Sequence, residues 1–288
     1  MTTVSCLGSV YSGTLVCEFR SSVDSLLRGS CLPDQIVVVV DGPISSDLAS
    51  VIDAYKESGS VRVVDLPHNL GLAKALNAGL DACVADLICR FDTDDISFST
   101  RISSIKSEFA SDPSLDILGS AVVEFSPFAG RGNFIKLKRV ARSHRAVSLS
   151  MPFVNPLNHP SVAIRRASLE SVGGYSHQPF FEDYYLWLVA RKAGLVFRNL
   201  ESPQVFIRRS SVLGRRCGLP YALCECRFYL RCLKSGLLPS FLIPVYIIRC
   251  MSRLLPRPLQ AFQDFLPWRT SIAATAYPEL VAWLEREC

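Results

Sequence analysis

Leu87-Ile88-Cys89-Arg90-Phe91 runs directly into Asp92-Thr93-Asp94-Asp95, and the reading of that junction decides the fold. The apolar run has the length of a buried strand, and three carboxylates crowd the four positions that follow it. Carboxylates that close raise one another's pKa unless a cation is shared among them. Mg2+ and Mn2+ suit oxygen ligands, and Mg2+ is commonly held by one or two carboxylates together with the phosphates of a substrate. Open α/β sheets bind ligands at the carboxyl ends of their strands. Asp92 to Asp95 therefore reads as a metal and nucleotide-diphosphate site, or else as an acidic turn capping the next helix, where Asp is also favoured.

Working outward, strand-like and helix-like segments alternate. Val4–Val10, Ile36–Val40, Val61–Leu66 and Ile117–Phe125 read as strands. Phe19–Arg28, a helix opened by Asp47 and running through Tyr55, Leu70–Cys83 and Thr100–Phe109 have helical spacing between them. Such alternation with continuous apolar strands predicts an α/β fold, a mostly parallel sheet flanked by helices. Residues 126–161 are rich in Pro, Gly, Arg and Asn and read as a long active-site segment crossing the sheet edge. Ser161–Ile164 reads as a strand, and Glu182-Asp183 opens an apolar helix through Ala193.

The grammar changes near residue 212, which predicts a catalytic part over 1–211 and a helical, basic and apolar extension over 212–288. Residues 208–257 carry ten Arg or Lys and a single acid, Glu225, whereas residues 1–207 are close to neutral. Gly236–Ile248 is apolar and ends beside Arg249, Arg253 and Arg257. It is shorter than the ~20 apolar residues of a spanning helix. Arginines beside a short apolar segment suit an anionic membrane surface rather than nucleic acid. The same pattern also fits a helical pair packed on the catalytic part with its arginines in water. Eleven cysteines without a C-x-x-C pair, four of them between 217 and 232, match no usual zinc spacing. Met1–Val10 lacks the basic and long apolar regions of a secretory leader, so a cytoplasmic chain with reduced thiols is expected.

Three carboxylate positions fall at strand ends or helix starts: Asp41, the Asp92–Asp95 group, and Glu182-Asp183. Strand ends of one polarity share a rim, so Asp41 and the aspartate group line a common cleft, walled also by the loop after Tyr11. Asp41 suits a base or ribose hydrogen bond, and Asp94 suits a divalent ion on the diphosphate. Carboxylates at a helix start stay ionised and able to accept protons. Lys74 is placed to reach a phosphate or to lie in solvent, and Arg101 to steady the diphosphate or pair with the aspartates.

In order along Val4 to about Phe206, the chain resembles a family 2 glycosyltransferase of GT-A (Rossmann-like) fold, of the exopolysaccharide and O-antigen branch. The resemblance is carried by Ser9-Val10-Tyr11, Val40-Asp41-Gly42-Pro43, Asn69-Leu70-Gly71-Leu72-Ala73-Lys74, Asp92-Thr93-Asp94-Asp95 with Arg101, Asn158-His159-Pro160, Gly173-Gly174-Tyr175 and Phe181-Glu182-Asp183-Tyr184. Val40 stands where many members have a further Asp, and Ser12 where many have Asn.

The resemblance implies Asp41 on a uracil or thymine base and Asp92 on the nucleoside. It implies Asp94, assisted by Asp95, on Mg2+ or Mn2+. Asp183 becomes the general base, oriented by Glu182, with direct inverting transfer from a nucleotide sugar, UDP-type, to a glycan or lipid-linked acceptor in polysaccharide biosynthesis. The chain would then sit peripherally at the inner face of the plasma membrane. A nucleotidylyltransferase needs a Gly-rich basic loop after its first strand, and Tyr11–Val16 has one Gly and no Lys or Arg. The remaining alternative is an inactive sugar-nucleotide-binding scaffold of a membrane glycan-assembly complex.

Overall fold

The computed structural model describes residues 2–126, 134–209, 218–255, 269–271, 276–280 and 283. Its main sheet has seven strands in the order β10-β6-β9-β4-β1-β2-β3. These are β1 (Val4–Val10), β2 (Gln35–Asp41), β3 (Arg62–Leu66), β4 (Leu87–Arg90), β6 (Ile117–Ser120), β9 (Ala163–Arg165) and β10 (Phe197–Leu200). All neighbours are parallel except β9, which runs antiparallel to both β4 and β6.

The β2 run shows why this sheet is covered on both faces. Val37 and Val39 enter one apolar cluster with Leu76 and Leu80 of helix α3 (Leu72–Ala82). Val38 and Val40 enter another with Phe19, Ile52 and Phe109, from α1 (Val16–Leu27), α2 (Ser46–Glu57) and α4 (Arg101–Ser111). Successive strand side chains point to opposite faces, and each buried Val stabilises by about 1.5–3 kcal/mol. The cap of α2 is Ser45, whose hydroxyl accepts from Leu48 N at 3.3 Å, and Asp47 lies inside the first turn.

Two departures from the sequence reading shape the site. The run expected as one strand over Ile117–Phe125 breaks at Ala121 into β6 and β7 (Val122–Ser126), which belong to different sheets. The second sheet has the order β12-β8-β7-β11-β5, from β5 (Ile96–Ser97), β8 (Phe134–Lys138), β11 (Val205–Arg208) and β12 (Arg269–Ser271). The segment 126–161, expected as a long active-site segment crossing the sheet edge, contains β8 and helix α5 (His144–Ser150). Its polar composition hid a strand paired on both sides, by β7 and β12, in which Lys138 Nζ donates to Asn158 Oδ1 at 2.6 Å.

Beyond the 210–217 segment, which lies outside the described residues, the chain forms α8 (Leu219–Lys234) and α9 (Ile243–Ser252). Tyr229 and Tyr246 stack at 4.5 Å, and Phe228 stacks on Phe181 at 4.7 Å. This helical pair therefore shares the core of α7 (Glu182–Lys192) and does not form a core of its own. Nor is the extension wholly helical, since β12 pairs antiparallel with β8.

The expected use of the basic block on an anionic membrane surface is corrected in part. Arg249 Nε and Arg253 Nε bind the carboxylate of Glu225 at 2.9 and 2.8 Å, and Glu225 is fully buried. Those two cations answer an internal acid. Arg257, the third, lies outside the described residues. Among the described residues no helix is long and apolar enough to cross a membrane.

Candidate active site

The tip of β4 is fastened from three sides. Thr93 Oγ1 donates to Ser9 O at the end of β1 (3.1 Å), Ser22 Oγ of α1 donates to Asp92 O (2.9 Å), and Arg208 N of β11 donates to Asp95 Oδ1 (2.9 Å). Gly8 lets the Phe91 ring lie against β1, because a Cβ there would fall 2.6 Å from the ring. The chain is thus forced to present Asp92, Asp94 and Asp95 together, with one oxygen of each within 4.8 Å of the others.

This cluster is short of positive charge. Burial, followed by Asp92 and Glu18, pushes the Asp94 carboxyl up to about 7. Burial, Asp94 and Asp92 push Asp95 up as well. Asp95 Oδ2 is buried with no hydrogen-bond partner. Arg90 bonds Asp92 from below, and Arg208 lies against Glu18 at 3.3 Å. Hard oxygen donors, mutual repulsion and an orphaned buried oxygen fit a divalent cation.

Glu182 and Asp183 open α7. Burial and then Asp183 push Glu182 up to about 7, and Asp92 adds to the shift, so charge on β4 is felt at α7. Asp183 is held by Asn155 Nδ2 and Tyr184 N, each at 2.7 Å. Behind it, Asn77 of α3 grips the backbone of Tyr175 twice at 2.8 Å, and His159 Nε2 meets the Tyr175 hydroxyl at 3.1 Å. Arg231 of α8 reaches Ser176 Oγ at 3.0 Å, so the C-terminal helices brace the loop that delivers Glu182.

The other sequence candidates divide. Tyr11 is exposed directly after β1, and Lys74 is exposed on the first turn of α3. Asp41 is buried and accepts from Leu70 N (2.7 Å) and Gly71 N (3.0 Å), so it shapes the loop opening α3. Gly42, at φ 84°, permits this closeness, since a Cβ would fall 2.5 Å from Asn69 N. Arg101 lies behind the cleft rather than in it. It is 1 % exposed and donates to Ser97 Oγ, Arg90 O and Pro160 O. Sequence reasoning missed Glu18, Arg90, Asn155 and Arg208. Only Arg90, two residues before Asp92, carried a local signal.

The glycosyl transferase family 2 profile matches residues 17–173, more than half of the chain and including the whole Asp92–Asp95 turn. The chain belongs to glycosyl transferase family 2. The amylovoran biosynthesis glycosyltransferase AmsE of Erwinia amylovora is 32% identical over 90% of this chain and 96% of its own. The UDP-Gal:alpha-D-GlcNAc-diphosphoundecaprenol beta-1,3-galactosyltransferase of Escherichia coli is 31% identical, over 84% of this chain and 87% of its own. Two solved structures share the fold at 14% identity and TM-score 0.60: S. aureus TarS 1-349 with UDP-GlcNAc, covering 99% of this chain and 80% of that one, and the Pyrobaculum calidifontis mannosyltransferase PcManGT with GDP-Man and Mn2+, covering 99% and 86%. This family 2 member is a glycosyltransferase of GT-A architecture, and divalent-metal dependence is general among such enzymes.

Proposed function

We propose that the chain transfers a sugar, with inversion, from a UDP-type nucleotide sugar to a lipid-linked glycan acceptor at the inner face of the membrane. The observation that carries this reading is the Asp92–Asp94–Asp95 cluster, which has one ion pair, from Arg90 to Asp92, and an orphaned Asp95 oxygen, with its charge felt at Glu182. The relative that acts on a diphosphoundecaprenol-linked sugar supports the acceptor class.

Asp94 and Asp95 would hold Mg2+ or Mn2+, which would supply positive charge to offset that developing on the departing diphosphate. Asp92 contacts the nucleoside from the same turn. Asp41 contributes by holding the 69–71 wall, through the two backbone N–H groups it accepts. Tyr11 and Lys74 stand at the mouth, beside the nucleoside and the phosphates. Arg101 supports the strand tip from behind through Arg90 O.

Asp183 takes the proton of the attacking acceptor hydroxyl. Asn155 Nδ2 and Tyr184 N fix its orientation. The acceptor oxygen bonds the anomeric carbon while the bond from that carbon to the phosphate oxygen breaks. The electron pair leaves with the nucleoside diphosphate. Glu182, held near neutrality by burial and Asp183, orients the site without adding a second full negative charge.

The test is UDP release by the purified protein from a panel of UDP-sugars with Mn2+ or Mg2+, with and without membrane extract as acceptor source. Slow release alone, accelerated by extract, is the expected result. Donor binding without turnover in any extract would instead establish a sugar-nucleotide-binding scaffold.

A further inference from the structure

Helix α9 and its flanks are built inside out. The only carboxylate between residues 218 and 255 is Glu225, which is fully buried. The two arginines of this stretch that follow α8, Arg249 and Arg253, turn inward to it, and Arg249 also donates to Phe153 O at 2.5 Å. Meanwhile every exposed side chain between residues 241 and 255 is apolar. Phe241 is 78%, Ile248 68% and Met251 61% exposed, and Ile247, Leu254 and Leu255 continue the same face at helical spacing. A helix in contact with water shows the reverse arrangement.

We propose that this outer face inserts into the acyl region of one membrane leaflet, and that apolar burial rather than attraction of arginines to anionic headgroups drives the docking. Protein interfaces carry a polar rim and hydrogen bonds within the patch. Among the described residues, the 241–255 face exposes no polar side chain within the patch, which favours hydrocarbon over a second copy of the chain. Beside it, α8 exposes Leu219, Leu223 and Leu230 on a stripe that also carries Arg227 and Lys234. Leucines alternating with long cations fit the headgroup level, where the stems lie on acyl chains and the charges reach water or phosphate. The helical pair exposes cations and no carboxylate, so phospholipid headgroups meet no like charge there. A ten-residue helix lies in the leaflet plane and does not cross it.

The purpose of this surface rests on the lipid-linked acceptor proposed above, but its observations do not. Because α8 also grips the loop leading to Glu182 through Arg231 and Ser176, docking sets the height of the crevice above the bilayer.

The experiment is flotation of the full chain with vesicles of neutral phosphatidylcholine, without donor or acceptor. Wild type is expected to float both at low salt and at about 1 M, where exposed charges are screened within roughly 3 Å. The double variant Ile248→Glu, Met251→Glu alters only outward side chains. It should keep its melting temperature and UDP release while its partition falls at least roughly tenfold. Three results would overturn the proposal: flotation only with anionic lipid and lost at high salt, flotation unchanged in the variant, or no flotation with a wild-type dimer that the variant dissociates. Loss of the transferase reading would show in UDP release and leave flotation untouched.

Discussion

Glu225 and the Asp92–Asp95 turn are both acids taken out of water, and they are treated in opposite ways. Glu225 meets two guanidinium groups within 2.9 Å. The turn assembles three carboxylates, gives Arg90 to Asp92, and leaves Asp95 Oδ2 without a partner. A buried acid that serves the fold is neutralised by the chain itself. One that serves chemistry is left wanting a charge that the ligand brings.

The largest effect that sharpens this contrast is on turnover. Asp183→Asn is expected to lower transfer by roughly 10²–10⁴-fold while donor binding, measured by calorimetry, is retained. Full transfer in that variant would move the base elsewhere. Asp94→Asn is expected to cost roughly a hundred- to a thousandfold in metal-stimulated UDP release. In metal-free buffer at pH 8 it should melt no lower than wild type, because it relieves repulsion from Asp92 and Glu18.

Glu225→Gln should do the opposite, losing about 3–5 kcal/mol of stability in denaturant unfolding by leaving two arginines uncompensated. Equal destabilisation by Asp94→Asn and Glu225→Gln would break the comparison. The smallest effect concerns Glu182, whose carboxyl stands at about 7 against an ordinary 4.5. The folded state then holds a proton that the unfolded chain has released, so stability falls as pH rises from 4.5 through 7. Glu182→Gln should remove that slope and gain up to about 3 kcal/mol at pH 8, with no gain at pH 4. A parallel pH dependence of unfolding in both proteins would show that Glu182 is not the source.

Local pattern carried much of this. Val4–Val10 and the Leu87–Arg90 strand were legible because each is a short, largely apolar run of buried-strand length. Asp41 and Asp92–Asp95 could be assigned to one rim because strand polarity fixes where ends gather, whereas Glu182-Asp183 joined them only through the family resemblance. What escaped depended on distance along the chain. Arg208 reaches Asp95 across more than a hundred residues, and Asn155 reaches Asp183 from the segment read as lining the active site, with nothing local to single it out. Arg101 was misplaced for a different reason: helical spacing tells which turn a guanidinium leaves from but not whether it bends toward the cleft or the sheet. The inward arginines of α9 were hidden likewise, since the sequence shows a charge but not the acid that answers it.

The break at Ala121 bears on how such enzymes can be recombined. Ala121 N donates to Leu200 O at 3.0 Å and Gln204 N donates to Ala121 O at 3.3 Å, so two neighbouring stretches of chain cross between the sheets while bonded to each other. The crossing is a doubled strap rather than a tether. Chimeras that graft one homologue's front half onto another's back half, with a junction near residue 121, would sever half of that strap and leave the other half unmatched. Exchange of whole loops, with the strap kept from a single parent, is the route by which specificity can be transplanted here.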